Sequence, residues 1–277
     1  MDRSYLFAPG HNAKLLDRVF RAGADAVMLD LEDAVPPQAK ATARAMVAEV
    51  LLDQSAWVRV NPARTAWCEA DLAAIAGRAV GIRIPKVESA SDVEWVAARA
   101  PETPFICAIE SARGVLAAQE IAAAPWVRFL AIGGVDLQRD LNTAGGNLQT
   151  LYARSHLVLA SRAAGIEPPI DSVFPMLGDD DGLRDQAQFA RSLGFFGKSA
   201  IHPRQLEIVH QVFTPTETEI AWAHCVLAGF DEAGGGGFAL PGGEFVDLPV
   251  ADRARRLLQI AGVPAKTVGR SAPVTTG

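Results

Sequence analysis

Short apolar runs alternate along the chain with longer stretches in which apolar and polar residues recur at helical spacing. Runs at residues 4–8, 26–31, 57–60, 81–84, 105–109, 127–132, 169–173 and 194–201 predict strands. Between and after them, residues 13–22, 38–52, 71–76, 91–99, 114–123, 148–164, 181–193 and 203–213 predict helices, with Asn12 as a cap and Pro36-Pro37 as a stop before the second. Strict alternation implies a parallel sheet covered by helices. Eight pairs favour closure into a (β/α)8 TIM barrel, a fold that usually takes ~250 residues. An open doubly wound sheet is the alternative, but Gly10 stands alone after the first strand and Gly133-Gly134 is no GxGxxG, so the dinucleotide fingerprint is missing.

The character changes after Phe213. Residues 216–228 predict a helix, the glycines at 234–237 a hinge, residues 238–247 a hairpin turned by Pro241-Gly242-Gly243, and residues 250–261 an amphipathic helix carrying Leu257, Leu258 and Ala261. The organisation expected is a barrel over 1–213, a C-terminal helical and hairpin arm or lid over 214–262, and a flexible tail over 263–277, rich in Pro, Ser, Thr and Gly. The arm looks too small for a core of its own, so it is expected to dock on the barrel or on a neighbouring subunit.

Composition narrows the function classes. The chain has 277 residues, 49% of them apolar, and a net charge of −6, which offers no basic footprint for nucleic acid. No window approaches the ~18 uninterrupted apolar residues of a membrane span, and the N-terminal MDRSYLFAPG lacks the apolar core of a signal peptide. Cys68, Cys107 and Cys225 form no motif, and Cys107 lies inside an apolar run as a buried thiol. That argues against a disulfide framework and fits the cytoplasm.

In such barrels the reactive side chains project from the carboxyl ends of the strands. The strand ends offer Arg3, then Glu32 and Asp33, Arg59 and Asn61, Lys86, Glu110, Asp136, Asp171 and His202. The strand period puts Arg59 on the face of Trp57 and Asn61, and Glu110 on that of Ile106 and Ala108. Glu110 and Asp136 follow consecutive parallel strands, whose ends a right-handed crossover sets side by side. Two carboxylates at the rim of an apolar sheet are costly without a positive charge between them, and a divalent cation is the simplest candidate. Ser111 lacks the GxSxG context of a hydrolase. His202, followed by Pro203, reads as a rigid turn, and Asp140 as a cap or salt-bridge partner. Arg3, Lys14 and Lys198 are further basic residues that could meet phosphates.

The segments RSYLFAPG, DAVMLDLEDAV, VRVN, IPKVES, AIESARG, IGGVDLQRDL and GKSAIHPRQL occur in an order that resembles the HpcH/HpaI aldolase superfamily, in its citrate lyase beta-subunit-like branch, over residues 3–262. The resemblance implies a TIM barrel, commonly trimeric, that binds Mg²⁺ and cleaves or forms carbon–carbon bonds in 3-hydroxyacyl thioesters. The family's metal-binding acids fall on Glu110 and Asp136, its substrate-binding arginine on Arg59 and its DLED acid on Glu32. The aspartate of the arm that enters a neighbour's site falls on Asp247 in FVDLP. Asn142 departs from the glycine of many relatives.

The expectation is a Mg²⁺-dependent lyase that cleaves an acyl-CoA thioester such as citramalyl-CoA or malyl-CoA to acetyl-CoA, or a homologue, and a 2-oxo acid. Arg59 would hold a carboxylate as a planar fork, with Lys86 and Arg3 adding positive charge. Glu32 would orient Arg59 or metal-bound water, and Asp247 would move a proton at the acyl carbon. The partners expected are the thioester, the 2-oxo acid and further copies of the chain in a homotrimer. The alternatives are a CoA-independent 2-oxo-acid aldolase of the same superfamily and a non-catalytic barrel subunit.

Overall fold

The structure is a computed structural model that describes residues 1–144 and 146–264; most of the expected tail, 265–277, lies outside the described residues. The chain forms two compact units, the first Met1–Phe213 and the second beginning at Thr214.

In the first unit β1 (Ser4–Pro9), α1 (Ala13–Val19), β2 (Ala26–Asp30), α2 (Lys40–Val50), β3 (Trp57–Arg59), α3 (Ala66–Ile75), β4 (Gly81–Ile84), α4 (Ala90–Ala97) and β5 (Phe105–Ile109) alternate as the apolar pattern predicts. The helix expected over 114–123 is two short ones, α5 (Ala112–Leu116) and α6 (Ala118–Ala122), before β6 (Val127–Ile132). There follow α7 (Gly134–Asp140), α8 (Leu151–Ala163), α9 (Asp180–Leu193), β7 (Lys198–Ala200) and α10 (Leu206–Phe213). Helix α7, which carries Asp136, is not among the helices that the pattern predicts.

The seven strands form one curled parallel sheet in the order β6-β5-β4-β3-β2-β1-β7. The strand expected over 169–173 is reduced to single-residue parallel bridges, Ile170 to Ala131 of β6 and Asp171 to Lys198 of β7. The reason is local: Pro168, Pro169 and Pro175 remove the donors that would extend a ladder.

The inner face of the sheet carries Tyr5, Met28, Trp57, Ile106, Phe129 and Ile170. The Phe129 ring meets Tyr5 and Trp57 edge-on, with centroids 6.4 and 6.2 Å apart. Gly81 makes room for this layer, since a Cβ there would lie 2.2 Å from the Trp57 ring. The outer face, with Leu29, Val58, Ile82, Cys107 and Leu130, packs under the helices. Burial on both faces is why these strands read as unbroken apolar runs.

The second unit holds α11 (Glu217–Glu232), the two-stranded hairpin β8 (Phe238–Ala239) and β9 (Phe245–Val246), and α12 (Leu248–Ala261). Thr216 and Glu219 close a capping box at the start of α11. The expectation that this segment lacks a core is overturned: Val226, Leu227, Phe230, Val246, Ala251 and Leu258 form an apolar cluster of their own. Helix α11 extends to Glu232, four residues beyond the expected end at Ala228, and so carries Phe230 into the cluster. Among the described residues no helix is long and apolar enough to cross a membrane.

Candidate active site

Above the aromatic layer the inner face turns polar. The register aligns Asp30 of β2 with Arg59 of β3, and Arg59 with Arg83 of β4. Arg59 binds Asp30 through both arms of its fork, Nε to Oδ1 at 2.7 Å and Nη2 to Oδ2 at 2.8 Å. Its third nitrogen, Nη1, lies 3.0 Å from Glu32 Oε2, an ion pair without hydrogen-bond alignment. Burial works against this guanidinium, but Asp30 and Glu32 outweigh it and hold its pKa above the usual arginine range.

Glu32 is itself set from two sides. Lys86 binds its Oε1 and also reaches Asp33 Oδ1 at 3.0 Å. The buried Lys40 at the start of α2 donates to the backbone carbonyls of Leu31 (2.8 Å) and Glu32 (2.7 Å), while Asp30 Oδ1 accepts from the Glu32 amide at 2.9 Å. The loop after β2 is thus fixed by a buried cation and a buried anion of the chain itself. Burial raises the pKa of Glu32 against the pull of Arg59 and Lys86.

Glu110 follows β5, buried at 7% exposure. No hydrogen bond or ion pair among the described residues engages its carboxylate. Burial pushes its pKa up to about 7, against the pull of Arg83. Its space is reserved by Gly133, where a Cβ would lie 2.3 Å from Glu110 Cγ and 2.8 Å from Oε1. The Gly133 amide donates to Ile109 O at 2.9 Å, and the Gly134 amide to Ser172 Oγ at 3.1 Å. These bonds set the start of α7, whose first turn carries Asp136. Asp136 is a quarter exposed and pairs with Arg139 one turn on, at 2.9 Å.

Arg59, Arg83, Glu110, Gly133 and Asp136 line one cavity of about 270 Å³, with Phe7 among its walls. Both guanidinium groups stack near the Phe7 ring, at 5.1 and 5.3 Å. No group of three or more His, Cys, Asp or Glu side chains among the described residues could hold a metal. Mg²⁺ asks for less: it keeps several waters and binds through one or two carboxylates with the substrate. A buried, unneutralised Glu110 beside Asp136, in space kept by a glycine, fits that requirement.

The remaining candidates disperse. Arg3 must be corrected: it precedes β1, at the amino end of the sheet opposite to the ends that bear Glu110 and Asp136, and its Nε binds Asp25 at 2.7 Å. Lys198 is fully buried and held by Asp171, Ser172 O and Gln186, so it is closed to phosphates. Asn61 lies on its strand's continuation but is turned to Asp71 (2.6 Å) and Leu31 O. His202 caps the turn before α10 through Arg204 N, Asp140 accepts from Ala112 N at 2.7 Å, and Ser111 binds Glu88. Asp247 belongs to the second unit, where its side chain caps α12 by accepting from Val250 N. Two site residues escaped the sequence reading, Asp30 and Arg83. The signal that reveals them is the cross-strand row Asp30–Arg59–Arg83, which emerges only once the strands are put in register.

Comparison with known proteins fits this geometry into a family. The description HpcH/HpaI aldolase/citrate lyase matches residues 3–203. The chain is 39% identical to a (3S)-malyl-CoA thioesterase of Cereibacter sphaeroides, over 88% of this chain and 89% of that protein. It is 37% identical to a citrate lyase subunit beta-like protein of Deinococcus radiodurans, over 92% and 96%. Among solved structures, CitE of Mycobacterium tuberculosis in complex with magnesium, acetoacetate and coenzyme A superposes with a TM-score of 0.81 at 32% identity, covering 94% of this chain and 97% of that one. With the match spanning most of the first unit and relatives of this identity along nearly the whole length, the chain belongs to the HpcH/HpaI aldolase/citrate lyase family.

Proposed function

We propose that this protein is a Mg²⁺-dependent carbon–carbon lyase that cleaves a 3-hydroxyacyl-CoA thioester, such as citramalyl-CoA or malyl-CoA, to acetyl-CoA or a homologue and a 2-oxo acid. The observation that carries the reading is the pair Glu110 and Asp136 lining one cavity, with Glu110 buried and without a hydrogen bond or ion pair among the described residues. These two carboxylates would hold Mg²⁺, which when bound supplies a Lewis acid for the oxygen on the reacting carbon. The relative crystallised with magnesium, acetoacetate and coenzyme A supports the choice of metal and of ligand class.

The chain's own residues do the rest. Arg59, locked by Asp30 and Glu32, presents its outer N–H groups to the carboxylate next to the reacting carbon. Glu32 acts through Arg59, as a positioning residue, and Lys86 neutralises it. In the cleavage the C3 hydroxyl loses its proton, the C2–C3 bond breaks, and the electron pair passes into the thioester enolate. C2 then takes up one proton, so none is gained or lost overall. Asp247, at the start of α12, is the candidate for that last transfer, reaching the site of a neighbouring subunit in a homotrimer. Closure of the sheet at Ile170–Asp171 would complete a (β/α)8 barrel.

A second reading has one support, the thioesterase named among the relatives. The same assay separates the two. Malyl-CoA and citramalyl-CoA are incubated with enzyme and Mg²⁺; a lyase releases glyoxylate or pyruvate with acetyl-CoA, whereas a thioesterase releases free CoA with the intact hydroxy acid. Glu110→Ala should abolish turnover and calorimetric Mg²⁺ binding while keeping the far-UV spectrum. Unchanged Mg²⁺ affinity in that variant would remove the metal site from these residues.

A further inference from the structure

The cavity contains a cation that the proposed chemistry has not used. Arg83 is 4% exposed and lines the cavity beside Arg59 and Glu110. Its protein contacts are sparse: Nη1 lies 3.2 Å from Ser199 Oγ, and Nε is buried without an acceptor among the described residues. Among the described residues no carboxylate lies within ion-pair distance of it. Arg59, its register neighbour, is the opposite case, with three nitrogens on three carboxylate oxygens. Glu110 across the cavity offsets part of the charge, but a buried guanidinium with no carboxylate in contact is expensive, and arginine does not escape the cost by losing its proton. Its pKa, pulled down to about 10 by burial and by Arg59, stays well above neutrality. An anion delivered into the cavity would remove the cost. The space, about 270 Å³, suits a small acid rather than a nucleotide.

We propose that Arg83 is a second carboxylate subsite, and that it selects thioesters whose acyl part carries two carboxylates, so that the 2-oxo acid released is a dicarboxylate in preference to a monocarboxylate. The inference rests on the lyase reading above and specifies its substrate class. Arg59 takes the carboxylate beside the reacting carbon, and Arg83 takes the carboxylate one methylene further on. Ser199 engages only Nη1, so the guanidinium keeps N–H groups for a carboxylate, whose geometry a planar fork matches.

The test uses two thioesters that differ by one carboxylate in place of a hydrogen, citryl-CoA and citramalyl-CoA, and the corresponding free acids oxaloacetate and pyruvate. The expected wild-type preference is for citryl-CoA. In Arg83→Met the ratio of kcat/KM for citryl-CoA over citramalyl-CoA falls by roughly 10- to 100-fold, the range of a charge-assisted hydrogen bond, and the loss sits in KM. Calorimetry with Mg²⁺ shows the oxaloacetate-to-pyruvate affinity ratio falling by a similar factor. Arg83→Lys, which keeps the charge without the fork, lies between, and it decides the matter by the same ratios if Arg83→Met does not fold. Ratios that stay within about twofold of wild type, because both ligands suffer together or neither does, overturn the proposal and return Arg83 to a structural or shared role. A wild-type preference for citramalyl-CoA and pyruvate overturns it as well. If neither thioester is cleaved, the lyase reading fails, and the calorimetric ratio still decides Arg83.

Discussion

Two buried charge clusters lie on opposite faces of the same sheet. On the outer face Asp171 joins Lys198, with Nζ at 2.6 Å, to Arg154 of α8. Lys198 spends its three donors on Asp171, Ser172 O and Gln186 of α9, and Arg154 Nε binds Thr150 Oγ1 at 3.1 Å. Burial opposes the Asp171 charge, but the two cations outweigh it and hold its pKa below the usual carboxylate range. On the inner face Asp30, Arg59, Glu32 and Lys86 are joined by ion pairs, yet Glu110 and Arg83 are left over, one anion and one cation. The first cluster is closed and has nothing to offer a ligand. The second is open at two points, and both face a cavity. Buried charge alone therefore does not mark a site here; buried charge with unmet valence does.

Breaking the closed cluster should have the largest effect on stability. Asp171→Ala leaves two buried cations without an anion, and losing one partner of such a network costs about 3–5 kcal/mol. Urea unfolding monitored by far-UV CD measures it. A loss below about 1 kcal/mol would mean that the cluster is hydrated and that the contrast between the two faces is false.

The open cluster should respond with the other sign. Glu110→Gln keeps the shape and removes a buried charge whose burial outweighs the pull of Arg83 and Arg59, so the metal-free protein should gain on the order of 1 kcal/mol. The order reverses when Mg²⁺ is added: at a hundredfold excess over Kd the wild type gains about 2.7 kcal/mol by linkage, and the variant gains none. Thermal unfolding with and without Mg²⁺ reads both. A variant less stable than wild type in the absence of metal would show that Glu110 is a structural partner after all.

The closed face and the open face were not equally legible. Glu110 and Asp136 follow consecutive apolar runs, so their meeting at one mouth can be read from strand ends. Arg83 could not be found that way, because it sits inside GIRIP rather than after it, and its relation to Arg59 is a matter of register. Arg3 misled for the complementary reason: a charged residue flanking a strand gives no hint whether it marks the amino or the carboxyl end. The bridges at Ile170 and Asp171 are too short for an apolar run to announce their true extent, since prolines on both sides cut the ladder. The core of the second unit was hidden because Phe230 on α11 and Leu258 on α12 join one cluster although a hairpin separates them along the chain, and no single helix stripe reveals its partner.

A third cluster sharpens the comparison, because it is neither closed nor sealed from water. At the amino end of the sheet Ser4 Oγ accepts from the Asp25 amide at 3.0 Å and meets His210 Nε2 at 2.8 Å. Asp25 binds Arg3 and lies 3.6 Å from the same Nε2. A neutral imidazole with its proton on Nδ1 accepts the Ser4 hydroxyl proton at Nε2, while Ser4 Oγ accepts from Asp25 N–H. Burial lowers the His210 pKa, Arg3 lowers it further, and Asp25 opposes them without prevailing. The unfolded chain therefore binds the proton more readily than the folded one. Stability is full above the unfolded histidine pKa, about 6.5, and falls as pH drops through it. The effect is the smallest of the three, since water reaches the ring. The urea midpoint of the wild type should decline from pH 7.5 to pH 5.5 by more than that of His210→Gln, which keeps a neutral acceptor for Ser4 and cannot take up a proton. Parallel declines in the two proteins would assign the acid sensitivity to other groups and leave this cluster inert.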